Sequence, residues 1–284
     1  LTKLSTGEDL DAALEAELLR FTTRTPTVDP SPRDTRVVIF AGGHGRRLAP
    51  YTSILPKPLM PIGNRSILEI LVSQLADAGF RNLTFSVGYL SHLIRAVFDN
   101  GAGKLVDVDW VTESEPLGTA APLRLVRGLD STFLAMNGDL LTTIDHGALL
   151  DHHRESGNVL TIATHKRRVQ LDYGVLHLED ASDQFRVVGY EEKPERTWNV
   201  SMGIYVLDPS ALSKLPAQGA YDFPDLVKDL LDEGLPVGAF VHEGLWLDIG
   251  RHEDYQRAVE LWAHSERLAE TMDGAGPATS DESL

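Results

Sequence analysis

The chain contains no cysteine, so neither a disulfide nor a thiolate metal site enters the reading. No apolar run approaches the roughly 20 residues needed to span a bilayer. Its first residues, Leu1-Thr2-Lys3-Leu4-Ser5-Thr6, lack the basic-then-apolar order of a signal peptide. These absences lead to the expectation of a cytoplasmic protein with no membrane partner. Positive charge is scarce: 26 Lys and Arg against 42 Asp and Glu leave a formal net charge of -16. Nucleic-acid binding over a broad surface is therefore disfavoured, because affinity for a phosphate backbone comes from Lys and Arg. A nucleotide substrate stays open, since a local clamp of two or three cations serves a triphosphate. Two common phosphate motifs are missing as well. No Gly-x-x-x-x-Gly-Lys-Ser/Thr string occurs, and the dinucleotide fingerprint would need a third glycine where Leu48 stands. A P-loop ATPase and a dehydrogenase are thereby set aside. The ten histidines show no ligand spacing, so most are expected to be solvated or capping residues.

What is present fits one large α/β domain with small appendages: 284 residues, 42% hydrophobic and 24% charged. Leu10, Leu14, Leu18 and Phe21 recur at helical spacing, and Pro26, Pro30 and Pro32 then mark a linker. Residues 1–34 are read as an appendage, docked on the body or on a second subunit. The sheet begins at Arg36. Ser66, with Glu69 three residues on, predicts a capping box at the start of a helix to about Ala78. Strands over 83–87 and 105–112, with a helix over 90–98 between them, imply βαβ units and a mainly parallel sheet. After a loop over 113–120 a helix carrying Leu123 and Val126 is expected, then a strand over 132–136 that ends in Asn137-Gly138-Asp139. Residues 158–207 change texture to consecutive strands, read as an antiparallel or mixed region. A helix over 224–231, strands at 237–241 and 246–250 and a last helix over 252–270 complete a domain of residues 35–270. The tail, 271–284, is expected to be disordered.

One stretch organises this pattern. Val37-Val38-Ile39-Phe40 reads as a buried strand, and Ala41-Gly42-Gly43-His44-Gly45 leaves it where a parallel sheet places its ligands. Glycines there let the backbone approach a ligand and aim N–H groups at phosphate oxygens. Arg46, Arg47 and Lys57 follow, so the segment reads as a phosphate clamp. A carboxylate just past a buried strand, as at Asp139, is placed to hold a metal over the crevice, or is an ordinary turn residue.

Gly42 to Leu48, then Pro50, Thr52 and Pro56-Lys57-Pro58, resemble the signature of the sugar-1-phosphate nucleotidyltransferases, or NDP-sugar pyrophosphorylases. The motif is closest to members that resemble mannose-1-phosphate guanylyltransferases. The resemblance spans roughly residues 36–262 and implies a Rossmann-like core of the glycosyltransferase-A type. It implies transfer of a nucleoside monophosphate from a triphosphate to a sugar 1-phosphate, with Mg2+ held by Asp139 and Asp248. Arg47 would grip the triphosphate, and Lys57 would contact phosphates at the reacting centre, together with Asp139. Ala41, Gly42, Gly43, Gly45, Arg46, Glu113, Gly118 and Thr119 would bind nucleotide. Tyr173, Gly174, Glu192, Lys193 and Ser201 would bind the sugar phosphate. Arg46 stands where relatives carry a small Thr or Ser, a departure that bears on how pyrophosphate is bound, and Ser201 stands where many carry Asn, which implies an unusual sugar. Glu113 replaces the Gln of relatives that use UTP or dTTP. A carboxylate offers only acceptors, which matches the two adjacent donors of guanine and points to GTP with a mannose-, heptose- or glucose-type sugar 1-phosphate. A UTP-, dTTP- or ATP-using glucose-1-phosphate enzyme and a non-catalytic sugar-nucleotide-binding regulator are the alternatives. A homo-oligomer is a further open expectation.

Overall fold

The computed structural model of the chain describes residues 33–100, 105–181, 184–250 and 252–274. The amphipathic segment and linker expected before Arg33, and residues 275–284 of the expected tail, lie outside them; residues 271–274, expected to begin that tail, instead extend the last helix. The centre is a seven-stranded sheet in the order β12-β8-β11-β6-β1-β4-β5. Strands β1 (Val37–Phe40), β4 (Asn82–Val87), β5 (Asp107–Thr112) and β6 (Phe133–Asn137) run parallel. Next to them β11 (Glu195–Leu207) is antiparallel to both β6 and β8 (Leu160–Gln170), and β12 (Val237–His242) is parallel to β8. The mainly parallel sheet and the antiparallel region after 158 are thus both observed.

Alternation along the strands divides the core between the two faces of the sheet. Val37 and Ile39 join Phe85, Leu134 and Met136 under helices α1 (Ile67–Asp77), α2 (Ser91–Asn100) and α3 (His146–Ser156). Val38 joins Phe133, Ala135 and Leu207 on the other side, under α4 (Phe223–Asp232). The capping box forms as expected. Ser66 Oγ accepts from the Glu69 N–H at 3.2 Å, and the Glu69 carboxylate accepts from the Ser66 N–H at 2.8 Å. The helix expected around Leu123 and Val126 is only a 3-10 turn, Ala121–Leu125, and Val126 is extended. So short a segment gains little from helical pairing.

A third apolar cluster lies below the glycine-rich loop. Leu48, Met60 and Ile62 pack there with Leu247 and Ile249 and with Ala258 and Trp262 of α5 (His252–Gly274). The C-terminal helix therefore seats the loop. β7 (Leu140–Thr142) and β13 (Trp246–Asp248) form a separate antiparallel pair at the same end, with Asp248 opposite Leu140. Among the described residues no helix is long and apolar enough to cross a membrane.

Candidate active site

β1 is flanked by β4 on one side and β6 on the other, so the chain reverses its direction of winding there. Ligands of open α/β sheets bind beyond the strand ends at such a point. The loop leaves β1 with the Ala41 N–H donating to Ser86 O at 2.8 Å. Gly42 sits so close to the end of β5 that a Cβ on it would stand 2.8 Å from Glu113 Oε1, whereas a Cβ on Gly43 would meet open space. Gly45 holds φ +61°, a conformation glycine adopts without cost, and Thr52 Oγ1 donates to its carbonyl at 2.9 Å. The tight turn that follows buries Leu48 and leaves Arg46 and Arg47 exposed. His44 stacks on Tyr89, ring centroids 4.9 Å apart.

The two aspartates, 109 positions apart in the sequence, meet. The β7–β13 pairing continues with the Ile249 N–H donating to Asp139 O at 3.1 Å. Lys57 joins both carboxylates: its ammonium donates to Asp139 Oδ2 and lies 3.7 Å from Asp248 Oδ1. Arg47 is close by: a Cβ on Gly250 would stand 3.2 Å from Asp248 Oδ1 and 3.5 Å from Arg47 Nη2. Burial raises the Asp139 pKa above the usual carboxylate value; Lys57 opposes the shift, and the neighbouring Asp248 adds to it. Asp139 Oδ1 is enclosed, with no hydrogen-bond partner among the described residues.

Glu113 is fixed on the loop side of the crevice. Ser86 Oγ donates to Oε1 at 2.9 Å and the Leu117 N–H to Oε2 at 3.3 Å. Gly118 and Thr119 lie against the start of α4: the Thr119 N–H donates to Asp222 Oδ1 at 2.7 Å, and Thr119 Oγ1 accepts from the Phe223 N–H at 3.0 Å. Ser201 belongs to the same neighbourhood. Its Oγ accepts from the Gly203 N–H at 3.3 Å, and a Cβ on Gly203 would meet Asn137 Nδ2, two residues before Asp139.

The other sugar-end residues sit apart. Tyr173, Gly174, Glu192 and Lys193 stand at the root of a separate hairpin, β9 (Val175–Ala181) and β10 (Gln184–Glu191). Gly174 abuts Tyr190, whose hydroxyl donates to Glu192. Lys193 takes φ +46°, uncommon for a residue with a side chain. No hydrogen bond or ion pair joins these four to Lys57 or the aspartates among the described residues.

Sequence reasoning overlooked Ser86, Asn137 and Asp222, polar residues with no local signal because each acts on a partner far along the chain. Two histidines fall outside the general expectation for the ten. His146 and His153 are buried rather than solvated, because α3 packs on the sheet through the face that carries them. Burial lowers the His146 pKa to about 4, against the pull of Asp145 and with a smaller contribution from His242.

The family model described as nucleotidyl transferase matches residues 36–265. The chain belongs to that family. The UTP--glucose-1-phosphate uridylyltransferase of Synechocystis is 30% identical over 246 residues, covering 79% of this chain and 62% of that protein. The mannose-1-phosphate guanyltransferase of Aspergillus fumigatus is 31% identical over 237 residues, covering 81% and 65%. The nucleotidyltransferase chain thus spans somewhat under two thirds of the length of these relatives. Among solved structures, HddC from Yersinia pseudotuberculosis complexed with GMP-PN is similar at a TM-score of 0.60 and 27% identity, covering 80% of this chain and 98% of that one.

Proposed function

We propose that this chain joins a nucleoside triphosphate to a sugar 1-phosphate, releasing pyrophosphate and an NDP-sugar. GTP with a mannose-, heptose- or glucose-type sugar 1-phosphate is the preferred pair. The observation that carries the reading is the convergence of Lys57, Asp139 and Asp248, with Lys57 packed against Gly45 of the loop and Arg47 beside Gly250. A phosphate oxygen of the sugar phosphate attacks the α-phosphorus, forming the new O–P bond as the bond to the β-phosphate oxygen breaks. The attacking oxygen is already an anion, so no general base is required. The protein must hold two anions together and balance charge on the leaving group.

Arg46, Arg47 and the N–H groups of Ala41 to Gly45 hold the triphosphate. Lys57 is the cation at the reacting centre. In the free protein it balances the two carboxylates, and it can turn to phosphate when they are neutralised otherwise. Asp139 and Asp248 suit Mg2+ through their hard oxygen donors and the unpartnered Asp139 Oδ1. Mg2+ ordinarily takes only one or two carboxylates besides phosphates and water. When bound, Mg2+ neutralises charge on the departing pyrophosphate. Glu192 and Ser201 take sugar hydroxyls and Lys193 the sugar phosphate.

Glu113 supports the choice of GTP. Each of its oxygens keeps a lone pair after accepting from Ser86 and Leu117, and guanine offers an adjacent ring N–H and amino group. The relatives named above include both a guanyltransferase and a uridylyltransferase, so the base is the informative variable. A bidentate base contact discriminates by about 1–3 kcal/mol. Glu113→Gln should therefore lower the GTP-over-UTP preference by roughly tenfold or more. An unchanged preference would remove Glu113 as its cause.

A further inference from the structure

The hairpin of β9 and β10 pairs with no other strand among the described residues, and its two faces differ in chemistry. Its register sets Leu176 opposite Tyr190, Leu178 opposite Val187 and Asp180 opposite Phe185. Cross-strand partners share a face, so five large apolar side chains lie together. The other face pairs Val175 with Glu191, His177 with Gly189 and Glu179 with Arg186. There Glu191 is held by His177 at 2.9 Å and by Arg196 at 3.2 Å. The polar side is thus satisfied within the chain. The apolar side is not: Leu176, Leu178, Phe185, Val187 and Tyr190 are 52%, 53%, 74%, 56% and 61% exposed.

A lone two-stranded hairpin is marginal in water without a third strand or a packed face. At about 150–250 Å2 per aromatic side chain and somewhat less for each aliphatic one, these exposed fractions amount to on the order of 500 Å2 of contiguous apolar surface. A standard interface takes about 800 Å2 from each partner, so the strip supplies more than half of one side.

We propose that this face is the contact between two copies of this chain, packed hairpin on hairpin about a two-fold axis. Two chains that each carry a formal net charge of -16 repel, and they can approach best through a surface free of charge. This strip has no Lys or Arg, and its one acid, Asp180, lies towards the tip. A two-fold axis through the middle of the strip sets each Asp180 near the root of the other hairpin, away from its twin. Two-fold contacts need a self-complementary patch, and an uncharged apolar strip has no sign to clash with its copy. The contact also reaches the sugar end, under the assignment of Glu192 made above. Tyr190 places its ring in the strip while its hydroxyl donates to Glu192, so pairing would steady that carboxylate.

The test is sedimentation velocity on the full chain at micromolar concentrations. Wild type should sediment at twice the chain mass, and Leu178→Glu combined with Val187→Glu should sediment as a monomer with an unchanged far-UV spectrum. Glu179→Lys, on the polar face, should remain a dimer. A monomeric wild type overturns the proposal, because the strip is then covered by another part of the chain or by a different partner. A dimer that survives the double substitution overturns it too, because the contact then lies elsewhere. Should the variant fail to fold, hydrogen exchange of wild type decides. Amides of 175–191 should become more protected as concentration rises, and concentration-independent exchange there would overturn the proposal.

Discussion

Lys57→Met removes the cation that bridges Asp139 and Asp248 while keeping most of the side-chain volume. The side chains of Lys57 and Asp139 are only 12% and 20% exposed, so solvent screens the pair weakly. Removing one partner of a buried pair costs about 3–5 kcal/mol. Because Asp139 can protonate instead, the loss has a ceiling. Neutralising a carboxylate at pH 7 from its ordinary 3.8 costs at most about 4 kcal/mol, at 1.36 kcal/mol per pH unit, and under about 2 kcal/mol at pH 5. The sign follows from the raised native pKa. The folded state binds more protons than the unfolded one above 3.8, so stability falls as pH rises through the folded value. Without Lys57 its lowering influence is gone, and the window extends upward. Thermal melts in a chelator should therefore show the variant losing on the order of 10 °C against wild type at pH 7 and less than half of that at pH 5. Added Mg2+ should restore more stability to the variant than to wild type. A loss that is the same at both pH values, or no loss at all, would refute the reasoning.

Asp139→Asn and Asp248→Asn should each leave the fold intact and lower turnover by roughly two to four orders of magnitude, the loss of several kcal/mol of charge stabilisation; near-normal Mg2+-dependent rates in both would remove the assignment. Lys193→Met should raise KM for the sugar phosphate far more than KM for the nucleotide, and an equal rise in both would place the lysine elsewhere. His146, buried with a pKa of about 4, stays neutral in the folded state while the unfolded chain takes up a proton below 6.5. Stability should thus fall by on the order of 3 kcal/mol between pH 6.5 and pH 4 on its account. His146→Leu should flatten denaturant titrations over that interval, and an unaltered slope would contradict the burial argument.

The parts of the fold that were legible in the sequence are those built by local rules. Ser66 and Glu69 form their capping box from two side chains three residues apart, and the unbroken apolar run Val37-Val38-Ile39 reports a strand buried on both faces. The 3-10 turn at Ala121–Leu125 was not legible as such, because a spacing of three between Leu123 and Val126 suits a 3-10 turn as well as an α-helix. Asp139 and Asp248 were singled out through their flanking motifs, but their meeting depends on β7 against β13, a pairing of two three-residue strands too short to signal itself. Glu113 was singled out by its side-chain type. Its orientation depends on Ser86 and the Leu117 N–H, which only the parallel alignment of β4 and β5 brings to it.

The central claim is the reaction itself. Its most direct test is pyrophosphate release by the wild-type chain with Mg2+, measured for GTP, UTP, dTTP, ATP and CTP at equal concentration against a panel of sugar 1-phosphates. The account predicts release that requires a sugar 1-phosphate and is fastest with GTP. UTP or dTTP running well ahead of GTP would contradict the base assignment, and ligand binding without pyrophosphate from any pair would contradict the activity.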